Sequence, residues 1–298
     1  MDVFLRGLSA LLMIALPLAL GVYFTRRWHQ GWGLALVGAV TFLLSQVGHI
    51  PFNGQLLNPL LARLGFGTGL GTPAVGPLAV AAVLLGLSAG LFEEGARFLV
   101  YRFWIRRART YRDGVLFGLG HGGAEAIAIG VLAILQHAQA YALRGQDLST
   151  VVPPDQLAAA EAALAQYWAT PAPIFLLGAV ERASALTVQI TLAVLVLQTF
   201  TRRGGALWLL GAILWHAAVD AGAVFAGSLW GVGQGSVSGA IATEILVAAF
   251  AVTSLVILLR LRPASVESPA PPPLAPPIEL PKDASVRPER LDDTRYSR

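Results

Sequence analysis

The chain contains no cysteine and is poor in charge: 13% of its 298 residues are Asp, Glu, Lys or Arg, against roughly 25% in a typical soluble domain. The first absence excludes a disulfide framework, a thiolate nucleophile and a thiolate metal ligand, so any metal has only His, Glu and Asp to bind it. The second excludes a soluble fold, whose surface so few charges could not cover. A basic face is missing too. The formal charge is +4, but the arginines fall in short clusters between apolar runs, which is a pattern of membrane topology. The expected partners are therefore membrane lipid and membrane-associated protein, with no nucleic acid; the oligomeric state is unread.

What the sequence has instead is 55% hydrophobic residues, gathered in runs near 3–24, 31–50, 74–104, 113–142, 172–200, 206–226 and 238–259. Each is about the 20 residues that cross a hydrocarbon core as helix. The expectation is an all-α polytopic membrane bundle of about seven transmembrane helices spanning residues 1–262. The first run ends at Thr25-Arg26-Arg27-Trp28 with no small-residue cleavage site and reads as an uncleaved helix. Positive charge sits in alternate loops, at Arg26 and Arg27, at Arg102 to Arg112, at Arg202 and Arg203, and at Arg260 and Arg262. The positive-inside rule then places the N-terminus outside and the C-terminus in the cytoplasm, most simply across a bacterial cytoplasmic membrane. Loops 52–73 and 144–171 are long, and Asp155 to Trp168 in the second reads as an Ala-rich outer helix. Residues 263–298, with Pro271-Pro272-Pro273 and Pro276-Pro277, have the composition of a disordered cytoplasmic tail.

Several runs carry residues that hydrocarbon does not tolerate. The third contains Glu93-Glu94-Gly95-Ala96-Arg97, two carboxylates at helical spacings of four and three from an arginine. The fourth contains His121-Gly122-Gly123-Ala124-Glu125 and the sixth His216-Ala217-Ala218-Val219-Asp220, each with a His and a carboxylate one turn apart. Counting about 1.5 Å per residue from the arginine-rich ends, His121 lies roughly 12 Å deep, Glu93 and His216 roughly 15 to 18 Å, and Glu125 and Asp220 a turn further. The fifth run adds Glu181-Arg182 and, two turns nearer the arginine-rich end, Gln189. The glycines beside His121 would let a helix backbone or a substrate come close.

Taken singly these residues have ordinary readings: an ion-paired helix contact for Glu93, Glu94 and Arg97, an interhelical hydrogen bond for either His. Together they mark a site, because each buried acid costs at least about 2.5 kcal/mol on an insertion scale. His29 reads as interfacial, His49 and His137 fall near the outer ends of their runs, and Glu244 has no evident partner. The working set is Glu93, His121, His216 and Asp220; the supporting set is Glu94, Arg97, Glu125, Glu181, Arg182 and Gln189.

These motifs resemble those of the YhfC-type intramembrane proteases of the CAAX-protease and bacteriocin-processing superfamily, to which the PrsW-like proteases also look related. The resemblance rests on Glu93-Glu94-x-x-Arg97, Phe117-x-x-x-His121 extended to Glu125, Glu181-Arg182, and His216-x-x-x-Asp220, and covers about 85–255. It implies an intramembrane endopeptidase in which Glu93 and His121 activate water, while His216, oriented by Asp220, stabilises the oxyanion. It also implies a zinc alternative with His121, His216 and Glu93 as ligands. The chain departs from the pattern at Gln189, where YhfC-like chains tend to carry His. Two other classes fit the same residues: a transporter or proton relay, and an inactive peptide-binding or immunity module.

Overall fold

The computed structural model describes residues 2–66 and 74–263. Among these the chain is helical throughout, without a strand, and seven helical segments are long and apolar enough to span a bilayer. The protein is therefore a multi-pass membrane helix bundle. The spanning helices are α1 (Asp2–Trp28), α2 (Gly33–Phe52), α4 (Val75–Leu99), α5 (Tyr111–Ala142), α7 (Leu176–Thr201), α8 (Ala206–Leu229) and α9 (Val237–Leu261). The expected Ala-rich outer helix is present as α6 (Pro154–Ala169). The Pro-rich segment from 264 onward lies outside the described residues.

One element differs from the sequence reading. The second span does not end near residue 50 but continues through a π-helical turn, Asn53–Leu57, into α3 (Asn58–Arg63), so that Gly33–Arg63 is one helical stretch of 31 residues. Pro51 and the glycines after it look like punctuation, yet a proline can stay inside a helix where neighbouring elements settle the freed carbonyl. His49 consequently sits well inside a span and not at its end.

Local signals set the helix starts. Thr110 and Asp113 form a reciprocal capping box at the head of α5 (Asp113 N to Thr110 Oγ1 3.2 Å, Thr110 N to Asp113 Oδ2 2.8 Å), satisfying two donors that a helix start leaves unpaired. Gly205, at φ +40°, makes the tight reversal into α8, a left-handed geometry that costs glycine little.

Helix α7 is the centre of the bundle, packed by α1, α5, α8 and α9, and its residues from Val188 to Gln198 are all buried. Helix α4 lies between α2 and α8, and α5 between α1, α2 and α7. Glycines allow these crossings to be close. A Cβ built on Gly120 would stand 1.9 Å from the Ala35 carbonyl oxygen, on Gly86 2.4 Å from that of Ala217, and on Gly122 2.6 Å from Gln189 Cβ. Small residues at helix crossings in lipid bring backbones into contact, and here they shorten the reach between short polar side chains on different helices.

Candidate active site

At mid-bundle the polar residues form one connected network. Glu93 on α4 is reached from three helices. His121 Nε2 on α5 lies 3.0 Å from its Oε2, Gln189 Nε2 on α7 donates to Oε2 at 3.3 Å, and Gln46 Nε2 on α2 donates to Oε1 at 3.1 Å. Arg97 Nη2 stands 3.7 Å from the same carboxylate. Glu94, the next residue, points elsewhere: its Oε1 accepts from Arg97 and lies 2.7 Å from His216 Nδ1 on α8. Successive helical residues are about 100° apart, so the two carboxylates face different neighbouring helices of α4, with Arg97 between them.

The four residues of the expected working set therefore form two groups. Glu93 pairs with His121, while His216 pairs with Glu94 and stands 3.5 Å from Asp220 Oδ2 through Nε2. The last distance is long for a hydrogen bond, so Asp220 holds the Nε2 edge of His216 more loosely than Glu94 holds Nδ1. His121 and Glu94 are fully buried and Glu93 and His216 nearly so, whereas the Asp220 side chain is 40% exposed. The network thus opens at the end away from the arginine clusters. That the clusters share one end is visible in Arg109 stacking on Phe200 and Arg112 on Trp28.

Gln189 has a defined place. Its Oε1 accepts from Arg97, and its Nε2 donates to Glu93 and, at 2.7 Å, to Glu125 Oε2. Arg97 has no acceptor and a carboxylate no proton to give, so the chemistry of its neighbours fixes which end of the amide is oxygen. A neutral imidazole, with one donor and one acceptor, could not make all three bonds. Beyond it Arg182 bridges Glu125 (2.6 Å) and Glu181. Arg97 and Arg182, both buried, each lie between two carboxylates, the arrangement that offsets the desolvation of a guanidinium.

These donors do not assemble into a zinc centre. His121, His216 and Glu93 are ligand types that zinc takes, but they do not meet at one point. Both nitrogens of His216 face carboxylates, His121 has only Nδ1 without a partner, and among the described residues no group of three His, Asp or Glu is arranged to hold a metal ion. The residues as placed do not fit a three-ligand centre.

The sequence reading did not single out Gln46, Asn53 and Ser88 and placed His49 at the outer end of its run, yet all four are part of this region. Ser88 Oγ donates to Asn53 Oδ1 (2.7 Å), Asn53 Nδ2 donates to His49 Nε2 (2.9 Å), and the His49 ring stacks on Phe92. The spacing 46, 49, 53 is a helical stripe and was the available signal; ending the span at 50 hid it. Glu244 is half-buried, with Oε2 unpartnered and Glu181 and Arg182 within electrostatic range. His137 is not interfacial decoration either, since its Nδ1 lies 2.6 Å from the Tyr167 hydroxyl and ties α5 to α6.

Comparison with known proteins agrees with the motifs. The family described as YhfC intramembrane metalloprotease matches over residues 12–247, which takes in α2 as well as the motif-bearing helices. The Bacillus subtilis (strain 168) protein named "Uncharacterized membrane protein YhfC" is 33% identical over 259 residues, covering 84% of this chain and 92% of that one. No solved structure matches.

Proposed function

We propose that this chain, which belongs to the YhfC intramembrane metalloprotease family, is an endopeptidase that hydrolyses peptide bonds of membrane-associated polypeptides in a bacterial cytoplasmic membrane. The observation that carries the reading is the buried Glu93–His121 pair, 3.0 Å apart on two different helices and linked to a polar network open at one end. Glu93 takes a proton from a water whose oxygen adds to the scissile carbonyl carbon. That proton passes to the departing nitrogen as the C–N bond breaks, leaving a carboxylic acid and an amine. His121 orients Glu93. His216, an imidazolium between Glu94 and Asp220, turns the Nε2–H that Asp220 holds only loosely toward the developing oxyanion and donates to it. Arg97, Gln189, Glu125, Arg182 and Glu181 hold the frame, so the catalytic groups meet the substrate without having to reorganise.

Zinc held by His121, His216 and Glu93 would supply a polarised water, but these donors would first have to leave their present partners. Catalysis is therefore assigned to Glu93 and His121 themselves. The wider kinship with CAAX and PrsW-like proteases rests on the shared motifs alone.

The network also bears on the relay reading. Its links include Arg97, Gln189 and Arg182, and neither a guanidinium nor a carboxamide exchanges a proton near neutrality. Toward the arginine-rich end, α7 continues from Ile190 to Leu197 with Thr191 its single polar residue. Both features disfavour a path through the membrane. Glu93→Gln tests the function: in proteoliposomes holding a panel of transmembrane peptides, cleavage by the native protein should fall at least a hundredfold in the variant. Proton flux that Glu93→Gln abolishes, with no cleavage by the native protein, would move the assignment to a relay.

A further inference from the structure

The stripe on α2 does no work in the chemistry above, and two of its polar atoms are unused. Gln46 spends its Nε2 on Glu93 and Ser45, and its Oε1 has no partner among the described residues. Asn53, with Oδ1 occupied by the Ser88 hydroxyl, donates Nδ2–H to His49 Nε2. With the Asn53 amide in this orientation Nε2 is the acceptor and the neutral ring carries its proton on Nδ1, an N–H with no partner among the described residues. The stripe thus presents one free acceptor and one free donor, three residues or about 4.5 Å apart along the helix. Both residues are half-exposed. His49 stands within electrostatic range of Glu93, His216 and Asp220, so it faces the same interior as they do.

The helix that carries the stripe is irregular there. Pro51 lacks the N–H that would close on the Val47 carbonyl, and the π-helical turn begins at Asn53. Such turns recur at functional sites. A transmembrane substrate is helical, and its peptide bonds are closed to attack until it unwinds. Unwinding in lipid strips backbone N–H and C=O groups of their partners, and a stripe with a spare acceptor and a spare donor can supply replacements.

We propose that Gln46 and His49 form a docking clamp for the unwound backbone of a transmembrane polypeptide. Gln46 Oε1 accepts a substrate N–H and His49 Nδ1–H donates to a substrate carbonyl, setting the neighbouring peptide bond against Glu93. This rests on the endopeptidase reading, but its test reads binding separately from cleavage. The probe is a Lys-flanked transmembrane peptide of about 20 Leu and Ala residues with a central Gly-Gly pair, fluorescently labelled, in liposomes with the full-length protein.

In the Glu93→Gln background, adding His49→Phe, which keeps the stacking on Phe92 but removes the donor, should weaken peptide binding about tenfold. Adding His49→Gln, which keeps a donor, should restore most of it. With Glu93 intact, His49→Phe should raise KM about tenfold and change kcat by less than about threefold. Equal binding by Glu93→Gln with and without His49→Phe overturns the clamp. So does absence of peptide binding, and so does a loss confined to kcat. If His49→Phe does not fold, Gln46→Leu in the same Glu93→Gln background decides: binding weakened about tenfold upholds the clamp and equal binding overturns it. Binding that follows this pattern while the native protein cleaves no peptide leaves the clamp standing and removes the endopeptidase.

Discussion

Gly120 lies so close to Ala35 that a side chain on it would strike the Ala35 carbonyl oxygen at 1.9 Å. That contact sets the distance between α5 and α2 one residue before His121, and so sets how far His121 and Gln46 reach toward Glu93. Gly120→Val should therefore push the helices apart and destabilise the protein by about 1–3 kcal/mol, the usual cost of overpacking. Gly211, on α8, has nothing near its would-be Cβ, and Gly211→Ala should leave the unfolding temperature in detergent unchanged or slightly raised. A Gly120→Val protein as stable as the native one would mean that this crossing does not govern the site.

Gln189 is predicted to be indispensable as an amide. Gln189→Leu leaves Arg97 short of an acceptor and Glu93 and Glu125 short of a donor; Arg97 and Glu93 are buried, and each such loss there costs about 1–3 kcal/mol. Gln189→Glu keeps the acceptor for Arg97 but sets a third carboxylate against Glu93 and Glu125. Both variants should lose thermal stability and peptide cleavage. Retained stability in Gln189→Glu would show that Glu93 and Glu125 do not depend on the donor.

Arg6 pins the outer helix. Buried on α1, it donates to the carbonyls of Tyr167 and Thr170 at 2.7 Å each and lies over the Phe175 ring at 4.3 Å. A cation on the last carbonyls of a helix also complements its dipole. Arg6→Ala should raise amide hydrogen exchange across 154–170 by an order of magnitude or more while α7 stays protected, as local opening implies. Uniform deprotection of the whole bundle would instead make Arg6 a global support.

Metal removal separates the two catalytic versions. Because His121, His216 and Glu93 do not converge, protein purified and assayed with a zinc chelator should retain both its fold and its peptidase activity, and elemental analysis should find less than one zinc per chain. Activity lost to the chelator and restored by zinc, with His121→Ala unable to bind the metal, would assign the water to a metal.

The seven spans and the Ala-rich helix α6 were legible in the sequence. Each depends on quantities local to the chain: the length of an apolar run against the bilayer thickness, the rise per residue, and the cost of a charge in hydrocarbon. Rotation about the helix axes was not legible. Depth alone puts His121 and His216 at one level with two adjacent glutamates; that His121 takes Glu93 and His216 takes Glu94 depends on which face of α4 meets α5 and which meets α8. Backbone contacts such as Gly120 on Ala35 and Gly86 on Ala217 decide that. The same contacts turn Gln189 into a bridge among Arg97, Glu93 and Glu125, and bring Gln46 and His49 into the site from a helix whose sequence looked merely apolar. An isolated helix carries no information about its neighbours' orientation, so these pairings exist only in the assembled bundle.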